Sequence, residues 1–182
     1  MKTNITQALV DEHQLILRMI ALLEKNAPRT AEGSYLNWQF YLDGCDFIRQ
    51  YADRFHHAKE EDVLFKALID NGMPKEHSPV AAMLMEHDQG RSFVRAMESA
   101  VFEAQSGYTD TYQAIADNAL GYAALLRDHI SKEDDILYPL AERVIPETMR
   151  DGIIQGYQAA ESQASPEFGA RYLAMVTQYE QE

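Results

Sequence analysis

The segment His56-His57-Ala58-Lys59-Glu60-Glu61-Asp62-Val63-Leu64-Phe65 returns as His129-Ile130-Ser131-Lys132-Glu133-Asp134-Asp135-Ile136-Leu137-Tyr138, with His, Lys, Glu, Asp and Leu at matching places. A chain with this echo must give two copies of one local design equivalent surroundings. Each copy follows an isolated Glu-His pair, Glu12-His13 in one case and Glu86-His87 in the other. The spacing is 43 residues from His13 to His56 and 42 from His87 to His129. The offset between halves is 74 for the lone histidines and 73 for the motif, so the duplication spans a whole pair of elements.

Those elements read as helices. Apolar residues recur at helical spacing nearly throughout, and alternating runs rich in Val, Ile and Thr are missing. A first helix is expected from Asn4 or Thr6 to Lys25, stopped by Asn26-Ala27-Pro28. A second runs from near Ser34 to Asp70, ending at Asn71-Gly72-Met73-Pro74. A third opens after Ser78-Pro79 and closes at Ser106-Gly107. The fourth runs from Thr109 to Val144, with Pro139 kinking it or ending its regular part. Two shorter helical segments follow Pro146, around Glu147 to Ser162 and Pro166 to Tyr179. The expected architecture is all-α: an up-down-up-down antiparallel four-helix bundle over residues 1–145, with a helical C-terminal extension over 146–182 packing on it.

The repeated residues are unusual for a bundle interior. His13, His87 and His129 each fall on an apolar stripe, and His56 shares its face with Ala52, Ile48 and Cys45. A single buried histidine is more often a hydrogen-bonded core residue than a ligand. Four in repeated register are a different matter, since each left unpaired would cost about 1–3 kcal/mol. Residues four apart lie on one helical face, so His56 with Glu60 and His129 with Glu133 can each aim an imidazole and a carboxylate at one point. Neutral imidazole plus carboxylate suits iron, manganese or zinc, whereas calcium prefers oxygen alone.

Four histidines and two glutamates exceed what one tetrahedral ion needs and suit two ions sharing carboxylates. Glu60 and Glu133 are therefore expected to bridge, with His13, His56, His87 and His129 as terminal ligands. Two ions with an oxo or hydroxo bridge are the expected cofactor, with iron, manganese and zinc open on the donor set alone. The pair His57 and Glu61 also has the four-residue spacing, but Gln50, Asp53 and Arg54 lie upstream on that face. They are expected as supporting or rim groups, and their replacing His56 and Glu60 stays open. Tyr122, two turns before His129, is either a hydrogen-bonding neighbour of the site or ordinary core. Glu12 and Glu86 point about 100° away from the adjacent histidines, which leaves both surface and supporting roles open.

The formal net charge of −13 over 182 residues, without a compensating Lys/Arg cluster, argues against nucleic-acid binding. Cys45 is alone, so no intrachain disulfide can form and a small buried apolar role is expected. No segment approaches the roughly 20 apolar residues of a membrane span, and the polar start from Met1 to Gln7 resembles no secretory signal. A cytoplasmic protein without membrane partners is expected, and homo-oligomerisation is left open.

Taken together, Glu12-His13, His56-x-x-x-Glu60, Glu86-His87 and His129-x-x-x-Glu133 with Ile136-Leu137-Tyr138-Pro139 resemble the hemerythrin-like family of HHE cation-binding domains, across about the first 145 residues. The tail around Phe168-Gly169-Ala170-Arg171-Tyr172 is similar to the carboxyl extension of many bacterial members. The resemblance implies a four-helix bundle holding a non-haem di-iron centre. Oxygen-carrying members place two histidines four apart on the third helix, whereas the position four before His87 is Met83 here. They also carry an aspartate one residue later on the fourth helix than Glu133. The loss of one imidazole implies a more open site. The expected function is binding or reacting with a small oxidant (dioxygen, peroxide or nitric oxide) in sensing or detoxification. Two readings compete with it: an iron-sensing, storage or metal-dependent interaction module without turnover, and a structural zinc site or metal-free bundle.

Overall fold

The computed structural model describes residues 2–182 and is built of helices, with no strand among the described residues. Helix α1 spans Gln7–Ala31, α2 residues 38–70, α3 Pro79–Gln105 and α4 residues 112–144, forming a bundle with short connections. Helix α4 packs along both α1 and α3, and the first part of α2 lies against α3. Two further helices, α5 (Glu147–Glu161) and α6 (Phe168–Glu180), lie outside the four.

Local chemistry explains the boundaries, including two that differ from expectation. Helix α3 starts where Ser78 accepts from the Ala81 amide and Pro79 occupies the first turn. Helix α1 does not stop at Pro28 but continues to Ala31. The helix carries Pro28 inside its last turns, and the terminator is Gly33, at φ +73°. Helix α2 begins at Trp38 and not at Ser34, because Asn37 caps it by accepting from the Phe40 amide at 3.2 Å.

Helices α2 and α4 are not uniformly α-helical. Helix α2 widens into π-helix over Ile48–His57 and again over Glu60–Leu64, and α4 does so over Glu133–Leu137. The last two segments occupy equivalent places in the repeat. Pro139 follows the widened turn directly and sits at the start of a regular segment, where its missing N–H is tolerated.

The buried apolar side chains form two clusters. One holds Ile16, Leu23, Phe40, Cys45, Phe47, Met97 and Tyr122 at one end of the bundle. The other holds Leu9, Leu64, Leu68, Val80, Met83, Leu137 and Tyr138 at the opposite end. On every helix the repeated histidines and glutamates lie between the two. The outer helices extend both clusters: Tyr172, Val176 and Tyr179 of α6 join the first, and Ile153 and Tyr157 of α5 the second. Arg150 of α5 is fully buried, donating to the backbone oxygens of Thr3, Glu142 and Ile145 and to the Glu142 carboxylate. No described helix is long and apolar enough to cross a membrane.

Candidate metal centre

The polar layer between the two clusters is almost wholly shielded from solvent. His13, His56, Glu60, His87, His129 and Glu133 are each at most 2% exposed. They form two groups with potential ligand atoms within 4.8 Å of one another: His13, His56, Glu60 and Glu133 in one, and His57, Glu60, His87 and His129 in the other. The imidazoles meet through their inner nitrogens, with His13 Nε2 2.9 Å from His56 Nε2 and His87 Nε2 3.1 Å from His129 Nε2.

Both glutamates span the groups. Glu133 puts one oxygen 3.4 Å from His13 Nε2 and the other 3.2 Å from His129 Nε2. Glu60 puts one oxygen 3.8 Å from His56 Nε2 and the other 3.5 Å from His87 Nε2. The Tyr138 hydroxyl donates to Glu60 and lies 3.5 Å from His13 Nε2.

The outer nitrogens obey one rule. His13 Nδ1 donates to Asp134 at 2.8 Å, His56 Nδ1 to Glu12 at 2.8 Å, His87 Nδ1 to Glu61 at 2.7 Å and His129 Nδ1 to Glu86 at 2.9 Å. The repeat is visible in this pattern, since Glu12 corresponds to Glu86 and Glu61 to Asp134. A carboxylate accepting the Nδ1 proton fixes the tautomer that leaves Nε2 with its lone pair, as metal-ligating histidines commonly require. Glu12 and Glu86 are thus supporting groups, and Glu61 supports His87. Lysines complete the pattern: Lys59 pairs with Glu12, and Lys132 with Glu86.

This donor set fits a cation on its own chemistry. Both Glu133 oxygens and Glu60 Oε2 are buried without a hydrogen-bond partner. Burial and then the charge of Glu133 push the Glu60 carboxyl well above its usual range, because two adjacent buried carboxylates cannot both ionise uncompensated. Burial also acts against ionised Glu133, but His129 and His13 hold its carboxyl well below the usual range. Burial, reinforced by neighbouring imidazoles, keeps His56 and His57 neutral, the form that ligates. Lone pairs and buried negative charge converging in this way are balanced by a bound cation better than by any protein group present.

The structure brings all six sequence-derived candidates together and adds one residue from the supporting set. His57 is 5% exposed and stacks on His87 with ring centroids 3.7 Å apart. It joins His56 instead of displacing it. A π-turn carries more residues per turn than an α-turn, so neighbouring side chains diverge less, and both histidines can face inward. Its Nδ1 lies 3.5 Å from Asp53, so the fifth imidazole also has a carboxylate behind it. The expectation of a lost imidazole is therefore corrected: Met83 leaves a gap on α3, and His57 of α2 fills it. That gap was the available signal, since it falls one turn before His87, the ring on which His57 stacks. Tyr122 makes no hydrogen bond to the site; its hydroxyl is buried without a partner. His77 is exposed in its loop, and Cys45 is fully buried with its thiol pushed up to about 12 by burial.

Comparison with curated proteins returns no match, and comparison with solved structures returns none. The model of one family, described as the hemerythrin HHE cation binding domain, matches residues 4–141, a stretch that contains every donor named above. With most of the chain matched and the donors gathered in the middle of a helical bundle, the chain belongs to the hemerythrin HHE cation-binding domain family.

Proposed function

We propose that this chain holds two non-haem iron ions and uses them to bind or reduce a small oxidant (dioxygen, peroxide or nitric oxide) in sensing or detoxification in the cytoplasm. His13, His56, His57, His87 and His129 would serve as terminal ligands, with Glu60 and Glu133 as bridges. The observation that carries this reading is the unequal division of imidazoles. One group has His57, His87 and His129, while the other has only His13 and His56. The poorer group therefore leaves room for an exogenous ligand.

Bound iron would supply the redox equivalents and an open coordination position there. The protein's own contribution is orientation, exclusion of water and control of a proton. The four carboxylates behind the imidazoles fix their planes. The two apolar clusters keep bulk solvent from the layer between them. The Tyr138 ring stacks on His13 with centroids 5.6 Å apart, and its hydroxyl donates to Glu60. It stands beside the poorer group and holds its proton at Oη, because burial and the nearby Glu133 and Glu60 charges disfavour the phenolate. Phe65 occupies the equivalent place in the other half, without a hydroxyl.

A second reading, an iron sensor without turnover, is favoured by Lys59. Its fully buried ammonium group bridges Glu12, the partner of His56, and Glu161 of α5 at 2.9 Å. Occupancy at His56 and the docking of α5 would then be linked. The experiment is elemental analysis with visible spectra of the purified chain, recorded reduced, oxidised and after each oxidant. Iron in the protein and bands that change with an oxidant support the first reading. Iron that raises the melting temperature without spectral turnover supports the second, and absence of iron after loading rejects both.

A further inference from the structure

Beside the richer imidazole group lies a cavity of about 330 Å³ between α2, α3 and α4, with His57 and His87 on its inner wall. The repeat shows one reason for it. Gly90 lies on the cavity wall, and its counterpart 74 residues earlier is Ile16, a core residue 2% exposed. The glycine leaves the wall one side chain thinner: a Cβ there would meet Leu126 and Tyr122 at an ordinary contact distance of 3.5 Å. The next position changes in the same sense, with Arg91 where the first half has Leu17.

The lining is cationic in a chain whose net charge is −13. Arg49 is matched by Glu98, and Arg91 by Asp53, Glu61 and Asp88. Arg54 and Arg95 also line the cavity and are exposed at its rim. Neither has a carboxylate partner; Arg54 bonds Gln50 at 3.4 Å and Arg95 bonds Ser92 at 2.9 Å. The wall between rim and interior is apolar, from Ile48, Val94 and Leu126. On the α4 side stands Tyr122, 2% exposed, its hydroxyl buried without a partner. Buried hydroxyls in folded proteins are generally satisfied, so an orphan lining a cavity marks a place for a ligand atom. The size lies at the lower end of small-molecule pockets.

We propose that this cavity binds a small organic monocarboxylate with an apolar, ring-sized body and a hydroxyl at its far end. The carboxylate sits at the unmatched guanidinium groups of Arg54 and Arg95, the body fills the space left by Gly90, and the far hydroxyl meets Tyr122. The site stands independently of the oxidant reading, because its recognition groups are arginines, apolar walls and a phenol.

The probe is 4-hydroxybenzoate, titrated calorimetrically into the full-length, metal-bearing protein, with 4-hydroxybenzyl alcohol and benzoate as partial analogues. Saturable binding is expected, with the uncharged alcohol weaker by about tenfold or more because it forgoes the charge-assisted bonds. The double variant Arg54→Gln with Arg95→Gln, both exposed and remote from the fold's core, should lose a similar factor with unchanged metal content. Tyr122→Phe should weaken 4-hydroxybenzoate while leaving benzoate unaffected. Gly90→Ile, checked for folding by circular dichroism, should abolish binding by restoring the packing of the first half. No saturable binding, equal affinity for the alcohol, or full affinity in the double arginine variant overturns the proposal. None of these results depends on whether the centre reacts with an oxidant.

Discussion

The two halves of the polar layer share a plan and depart from it at His57, Tyr138 and Lys59. Each half has a lone histidine, a His-x-x-x-Glu unit, a π-turn beginning at that glutamate, and a lysine over the supporting carboxylate. The richer group adds His57, where the repeat has Ile130 in the other copy. The poorer group has Tyr138 beside it, where the other has Phe65. Lys59 is fully buried and reaches α5, whereas Lys132 is about a third exposed and pairs with Asp128. A symmetric plan makes two donor groups, and the departures from symmetry give them different surroundings.

The sharpest way to break this comparison is to remove what the halves share. Glu60→Ala deletes a carboxylate facing both groups, and elemental analysis should find most of the metal gone from the purified variant. Full retention would mean that the two groups are not one centre. His57→Ala separates the halves: about half the metal should remain, held by the group of His13 and His56, because only one donor set loses an imidazole. Equal loss from both halves would sink the assignment of His57 to one of them.

The lysines test the halves through stability. Lys59→Met leaves Glu12 buried beside His56 without its cation and should cost about 3 kcal/mol in urea unfolding. Lys132→Met, at a partly solvated pair, should cost under about 1 kcal/mol. Similar values for both would erase that contrast. A smaller change is expected for Tyr138→Phe, which should alter the rate of reoxidation while sparing metal content; an unchanged rate would remove Tyr138 from the chemistry.

The smallest effect concerns the tail. Glu142 lies on α4 at the place equivalent to Ile69 and accepts from the Ile5 amide and from Arg150. Burial acts against its charged form, yet Arg150 and the Ile5 amide outweigh it and hold the carboxyl below its usual value of 4.5. The stabilisation is therefore complete above about pH 4.5 and lost as the pH falls through the lower folded value. Glu142→Gln should flatten that part of the acid-unfolding curve, measured by helical circular dichroism.

Much of this arrangement was legible in the residues because helical periodicity and the repeat constrain each other. An interior histidine in one half predicts one in the other, and the 73- and 74-residue offsets place four helices without further information. What escaped depended on backbone detail. Pro28 looked like a stop, but the conformation that ends α1 belongs to Gly33. His57 was set aside by an argument that assumed a regular α-helical step, and over Ile48–His57 the step is not regular. A wheel drawn at 100° per residue cannot represent a π-turn, since nothing in the side-chain types signals one hydrogen bond shifted by a residue. Glu12, Glu86 and Glu61 stay open in the sequence between supporting and surface or rim roles, and Asp134 gives no signal, because each of these four comes from a different helix than the histidine it holds.

The widened turns at Glu60–Leu64 and Glu133–Leu137 also keep the repeat in register. A π-turn is how a helix absorbs one surplus residue without breaking. Two such surpluses at equivalent places leave the copies matched residue for residue through Leu64 and Leu137. The additional π-helix over Ile48–His57 has no counterpart, because residues 121–130 are regular α-helix. The two copies therefore part in backbone as well as in side chain at the turn that brings His57 inward.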